Sequence, residues 1–405
     1  MGKRVQSTQQ KNRGTVPPHS FPYWELAVFL VSGLIFTGIV LAAVVPEDIL
    51  YHARYVMGML NRTMPWPANP LYYLLVSGIA LFQDGFVSLV ASSVLVLSGA
   101  VAAKLFLARR ISEAYLLARA SGRGADAPSP DAVALVCIAT LFAFSLPTPA
   151  AFKGLYYLGQ LPPNVWHNPS TIALMPLALL LFHVSHLQLE RPVTSRAATL
   201  TFLAALNILM KPSFFFVFAV AYPLMLLRRF RLARDFWINL LPVAAGLGML
   251  AVVYHLIYVL GFSNMWKGQS GVAFGLFTVW SLWSPNVGLS LVASVLFPAA
   301  FLCLHPAEFG RDTLLQYAAL SFAVAVIIFS VLMETGPRMS DGNFVWQCMV
   351  CNYLLFLVVS LAFYDKVRTE GMAGWRNRTL AVCWTLHVIS GIAYIVKFFS
   401  TGRFY

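Results

Sequence analysis

Apolar runs of about 20 residues, each with at most one charged residue, recur from residue 24 to residue 399, and they restrict what this chain can fold into more than any motif does. In hydrocarbon every backbone N–H and C=O must be paired within its own element, and runs of that length satisfy the requirement only as helices. Charged residues make up 11% of the chain against 59% hydrophobic ones, whereas soluble domains carry about 25% charged residues. The sequence therefore predicts an all-α polytopic membrane protein of about eleven transmembrane helices. Their bounds are roughly 24–46, 86–108, 131–147, 170–188, 197–210, 212–227, 236–260, 284–303, 314–333, 344–363 and 380–399. The fifth and sixth are short and meet at Lys211-Pro212, as a helix pair whose turn dips into the membrane.

A formal net charge of +13 would suggest nucleic acid in a soluble protein. Here the distribution of the charge is topological. Lys3, Arg4, Lys11 and Arg13 precede the first span, and most other Lys and Arg residues, Lys104 among them, fall at alternate span ends. The positive-inside rule then places residues 1–23 as a cytoplasmic tail. Residues 24–405 form a single membrane domain, and no nucleic-acid partner is expected. No cleavable signal peptide is expected either, since the first span is too long for one. All five cysteines lie within predicted spans, so no disulfide framework follows, and Cys348-x-x-Cys351 reads as packing. Residues 109–130 read as a solvated amphipathic or flexible linker.

The side opposite the basic loops gathers the polar chemistry. Its first loop, 47–85, is long and carries Glu47, Asp48, His52, the turn-rich MPWPANP (64–70) and an apolar LYYLLVSGIALF (71–82), which is too short to span and suits an interfacial helix. If 48–60 is helical, Asp48 and His52 share a face at i and i+4, with Tyr51 beside them. A carboxylate with a neighbouring histidine can act as a general base or hold a divalent cation; helix capping by the acidic pair is the simpler alternative. NVWHNPST (164–171) places Trp166, His167 and Asn168 directly before the fourth span. They suit contact with a phosphate or a sugar hydroxyl, or else an interface anchor followed by a helix cap. Lys211 stands among apolar residues, where a buried cation requires an anionic partner such as a phosphate. In ETGPRMSDGNFVWQ (334–347), Arg338 can grip a phosphate bidentately, with Glu334, Asp341 and Asn343 beside it to hold it or a sugar; a weak surface ion pair is the alternative. Trp266, Trp280 and Trp283 fit an interfacial aromatic belt, or a lid over a lipid groove. His183 and His186 read as packed or interfacial residues rather than metal ligands.

The succession of first span, acidic pair, then DILYHARYVMGMLNRTMPWPANPLYYLL (48–75) resembles the first external loop of the GT-C glycosyltransferases, membrane enzymes that use polyprenyl-phosphate sugars. Residues 25–110 carry the likeness by motif, and the remainder by span count and sidedness. The chain departs from the family in having Ala-Asn-Pro where Pro-Pro is common, and in having no large soluble C-terminal domain. The resemblance implies that Asp48 is the catalytic carboxylate, with Glu47 as its neighbour, and that the anomeric centre is inverted. It implies a polyprenyl-phosphate sugar as donor, a glycan, lipid or protein as acceptor, and a site on the periplasmic face of a bacterial inner membrane. No cofactor is required, and a divalent metal (Mg or Mn) is compatible. In this expectation Asp48 takes the acceptor proton, His52 assists, and Lys211, Arg338 and His167 stabilise the departing phosphate. A polymerase or ligase using polyprenyl-diphosphate donors has the same sidedness but needs no carboxylate in the first loop. A transporter calls for midplane charges and duplicated halves, and the sequence displays neither.

Overall fold

The computed structural model describes residues 23–44, 47–153, 157, 159–260 and 271–404. Among these, nine helices are long and apolar enough to cross a membrane, and two further apolar helices are shorter.

The first helix, α1 (Tyr23–Ala42), lies on the periphery and packs mainly on α4 (Phe86–Arg123). Between them the first loop folds as two short helices, α2 (Asp48–Leu60) and α3 (Leu71–Ile79), both resting on the start of α4. Helix α4 has 38 residues, about 57 Å at 1.5 Å per residue, almost twice the hydrocarbon thickness. The stretch expected as a linker at 109–130 is therefore helical as far as Arg123, and the chain breaks only at Gly124, whose φ of 65° supplies the left-handed cap. Acids from three later helices explain this extension. Arg119 pairs with Glu308 at 2.6 Å, Asp312 at 2.8 Å and Asp365 at 2.7 Å, and Arg123 shares Asp365 at 2.8 Å.

Helix α5 (Pro130–Phe142) opens on a Ser129 cap with Pro130 in its first turn. It stops at Phe142, short of the expected 131–147 span. The backbone that follows, up to residue 168, has no regular element among its described residues beyond one short turn of 3₁₀ helix at Pro149–Lys153. Irregular backbone inside an apolar bundle survives only where protein covers and pairs it. Asn164 supplies that pairing: its Nδ2 donates at 2.8 Å to the carbonyls of both Thr140 and Ala143, at the open end of α5. Lys104 then donates to Asn164 Oδ1 at 2.7 Å and lies 3.5 Å from the centre of the Tyr353 ring. Lys104 is thus not at a solvated span end, as its place among the basic residues suggested. It is buried, and it compensates the carbonyl end of a broken helix. The void beside it, about 20 Å³, has room for about one water and offers no path through the bundle.

Helix α6 (Pro169–Glu190) is capped by Asn168 and buried against α4 and α7 (Thr194–Met210). Lys211-Pro212 turns the chain into α8 (Ser213–Phe230). Then come α9 (Arg234–Asn239), α10 (Leu241–Tyr254) and a π-turn at His255–Val259. A short strand β1 (Val272–Phe274) precedes α11 (Thr278–Trp283), α12 (Val287–Leu304), α13 (Pro306–Arg311) and α14 (Thr313–Val331). Strand β2 (Leu332–Glu334) pairs antiparallel with β1, Ala273 opposite Met333. Helix α15 (Trp346–Glu370) is the most deeply buried element, and α16 (Trp375–Thr401) closes the bundle beside α5 and α12.

Candidate functional site

Asp48, Asn168 and Lys211 come from three separate segments and meet at the end of the bundle that carries α2 and α3. Asp48 is the first residue of α2, where a carboxylate is favoured by the positive end of the helix dipole. Asn168 holds the centre. Its Oδ1 caps α6 by accepting from Thr171 N at 3.1 Å and also accepts from Lys211 Nζ at 2.9 Å, while its Nδ2 donates to Asp48 Oδ2 at 3.0 Å. The helix cap expected of Asn168 is realised, and the same amide also joins Asp48 to Lys211. The Lys211 ammonium adds Thr171 Oγ1 at 2.8 Å and Ser170 Oγ at 3.3 Å, and it sits 4.5 Å from the centre of the Trp346 ring. All its hydrogen-bond acceptors are neutral. The side chains of Asp48 and Lys211 make no direct ion pair; one amide stands between them.

Burial drives Lys211 from its ordinary value down to about 7, with the Arg338 charge adding to the effect and Asp48 opposing it. Arg338 therefore lies within electrostatic reach of Lys211, although its own ion partners are Asp341 at 3.5 Å and Glu334 at 3.7 Å. Asn343 donates a short hydrogen bond to Glu334, which tethers that carboxylate from the far side. His167, just before the capping asparagine, lies with its ring centre 5.8 Å from Trp346 and 4.9 Å from Phe404. Burial lowers its pKa, and the charges of Asp48 and Lys211 both act on it.

His52 behaves differently from its expected role. Its ring stacks on Tyr73 with centres 5.5 Å apart and meets Tyr72 edge-on at 5.6 Å, and it makes no hydrogen bond to Asp48. Burial holds it near 4, neutral at ordinary pH, and its Nδ1 has no partner among the described residues. It contributes a neutral ring that ties α2 to the aromatic start of α3. Glu47 is buried beside Asp48, and desolvation, reinforced by the Asp48 charge, raises it to about 7. Its side chain makes no helix-capping hydrogen bond.

Two other residues selected from the sequence lie elsewhere. Trp166 points into the core, between Phe36 and Phe142 with ring centres 5.8 Å from each, and lines the small Lys104 void. It faces away from the site. Tyr51 is turned outward and 48% exposed. Trp280 is not in an aromatic belt: it is buried, and its Nε1 donates to the Gly159 carbonyl at 2.6 Å. Trp266 lies outside the described residues.

Beside His167 and Trp346 opens a cavity of about 270 Å³. Its walls include Phe144, Tyr157, Gln160, Trp283 and Tyr394, and exposed Ser340 and Asp341 stand at its rim. Trp283 is clamped in place by close backbone approach on two sides. A Cβ on Gly342 would fall 1.6 Å from its ring, and one on Gly159 would fall 2.8 Å from its carbonyl carbon. Trp346 and Gln160 carry no signal in the sequence, whereas Tyr73 falls at the start of the expected surface helix. Trp346 reads only as the first residue of an apolar helix, and Gln160 lies in a stretch without periodicity.

Among the described residues no three His, Cys, Asp or Glu side chains converge as a metal-ligand set; near Asp48 the available carboxylate neighbour is Glu47. Comparison with protein-family models and with curated protein sequences finds no match to this chain.

Proposed function

We propose that this protein is an integral membrane glycosyltransferase that moves a sugar from a polyprenyl-phosphate carrier to a glycan, lipid or protein acceptor. The observation that carries the proposal is the Asn168 bridge, which holds a carboxylate and a buried ammonium side by side, at 3.0 and 2.9 Å from one amide. A transferase of this kind needs a base for the acceptor hydroxyl and a cation for the leaving phosphate. The chemistry of the pair supplies both. In the proposed step the acceptor O–H gives its proton to the Asp48 carboxylate as its oxygen bonds to the anomeric carbon. The bond from that carbon to the phosphate oxygen breaks, and its electron pair leaves with the lipid phosphate. Lys211, with Arg338 within electrostatic reach, takes up the charge that develops there. Attack opposite the leaving group inverts the anomeric centre.

Eleven spans, with the N-terminus in the cytoplasm and the site on the periplasmic side of a bacterial inner membrane, complete this reading. The nine long helices and the shorter α5 and α7 supply the spans, and the Lys and Arg residues gathered at the far end supply the orientation. A lipid-linked donor suits that location, because nucleotide sugars are absent there. The test is a transfer assay with the purified protein and a panel of polyprenyl-phosphate sugars. Wild type is expected to transfer at least one of them, and Asp48→Asn to transfer none at a comparable rate. Wild-type turnover by Asp48→Asn removes the mechanism.

A further inference from the structure

Trp346 and His167 belong to two features at once. They border the Asp48–Lys211 cluster, and they form one wall of the 270 Å³ cavity. That volume lies just under the range of about 300 to 1,000 Å³ for drug-sized ligands, so it suits a single ring and not a chain of them. Its walls combine large aromatic rings, Tyr157, Trp283, Trp346 and Tyr394, with one polar side chain that is not satisfied. Gln160 is 2% exposed; its Nε2 donates to the Leu146 carbonyl at 2.8 Å, and its Oε1 has no partner among the described residues. An unpaired buried acceptor carries a desolvation cost that a ligand hydroxyl would relieve.

We infer that this cavity is a subsite for one uncharged pyranose ring, held next to the Asp48–Lys211 cluster. The C–H groups of a pyranose carry partial positive charge and pack against the electron-rich faces of aromatic rings, while its hydroxyls donate to an acceptor such as Gln160 Oε1. Asp341 at the rim disfavours an anionic sugar, and the cation that suits a phosphate, Lys211, lies outside the cavity on the far side of Trp346. The inference deepens the transferase reading and rests on it for the ring's purpose. The ring belongs either to the donor's transferred sugar or to the terminal sugar of the acceptor.

The test is binding to the purified full chain in lipid nanodiscs, read by tryptophan fluorescence, since Trp283 and Trp346 line the cavity, and by saturation-transfer NMR. Methyl glucoside, mannoside, galactoside and xyloside are titrated, with methyl glucuronide as the charged control. At least one neutral glycoside is expected to saturate with a Kd of the order of millimolar. Gln160→Leu is expected to weaken it about tenfold. Ser340→Trp, a substitution at an exposed rim position, is expected to block it even if Gln160→Leu does not fold. No saturation by any neutral glycoside below about 100 mM, unchanged affinity in folded Gln160→Leu and Ser340→Trp, or preference for the glucuronide each overturns the subsite. A second arm compares the preferred methyl glycoside with the same sugar linked to decyl phosphate. At least tenfold tighter binding of the conjugate assigns the ring to the donor, and simultaneous binding of the glycoside and decyl phosphate assigns it to the acceptor. Because no turnover enters these measurements, loss of the transferase reading registers separately, as transfer that survives Asp48→Asn while glycoside binding persists.

Discussion

Two charged clusters occupy opposite ends of this bundle, and they are built on opposite principles. At one end Arg119 is surrounded by three carboxylates within 2.8 Å, Lys366 bridges Glu308 and Glu370 at 3.0 and 2.7 Å, and Arg123 adds to Asp365. Charge there is matched by charge, and four helices are cross-linked. At the other end Lys211 is ringed by an amide oxygen, two hydroxyls and an aromatic face, and Asp48 receives a single amide N–H. The first cluster has little left to bind. The second keeps a carboxylate and an ammonium apart with their capacity unspent, which suits a substrate that brings a proton to one and a phosphate to the other.

Substitutions should separate the two clusters. Asp48→Asn is expected to lower the transfer rate by about 10³-fold with the melting temperature kept, measured by initial rates on the folded protein. Arg119→Met should do the reverse. Removing the shared partner of a partly buried network takes the ion pair from Asp312 and weakens those of Glu308 and Asp365, and costs about 3 kcal/mol of stability, visible in thermal unfolding in detergent, while activity per folded molecule stays near wild type. Lys211→Met is expected to reduce kcat/KM about 10²-fold without loss of stability, since a buried ammonium whose hydrogen-bond acceptors are all neutral is replaced by an apolar chain of similar length.

Acidity gives a finer separation. Because burial holds Lys211 near 7, below its ordinary value of 10.5, it loses its charge as pH rises through 7, and the donor KM should rise about tenfold per unit above that point. Lys211→Arg should flatten the profile. The sign for stability runs the other way: between 7 and 10.5 the unfolded chain holds the extra proton, so the cost of burying Lys211 fades as pH rises. Glu47 has the smallest effect. Raised to about 7, it stabilises the fold most at low pH, and that contribution is lost as pH rises from its ordinary 4.5 through 7. Glu47→Gln should therefore be more stable than wild type at pH 8 and not at pH 4, by about 1 kcal/mol.

The apolar runs disclosed the helices because hydrocarbon leaves the backbone one local solution, and that rule operates within a segment. It loses force where pairing is non-local. Helix α5 ends early because Asn164 and Lys104, distant in sequence, cap it, and α4 runs on past its apolar run because its acids arrive some 190 residues later. At the site, Asp48, Asn168, Lys211 and Arg338 could be singled out as polar residues on one side of an apolar chain. The Asn168 bridge could not be foreseen, since the cap pattern Asn-Pro-Ser-Thr is complete without it. His52 misled because i, i+4 spacing fixes a helix face and not what that face meets; Tyr72 and Tyr73 of α3 occupy the space.

The opening between α5 and α6 has a consequence for biosynthesis. The backbone just past α5 is completed by segments made much later: Phe144 exchanges hydrogen bonds with His387, its N–H donating to the His387 carbonyl at 3.0 Å and its own carbonyl accepting from His387 Nδ1 at 2.6 Å. Leu146 N donates to the Ala293 carbonyl at 2.9 Å, and Gly391 fits so closely that a Cβ there would fall 1.6 Å from the Phe142 carbonyl oxygen. Until α12 and α16 are made, a nascent chain leaves these peptide groups without their partners. A ribosome arrested before His387 should therefore present a species that membrane quality control recognises and degrades, even with every earlier helix already inserted.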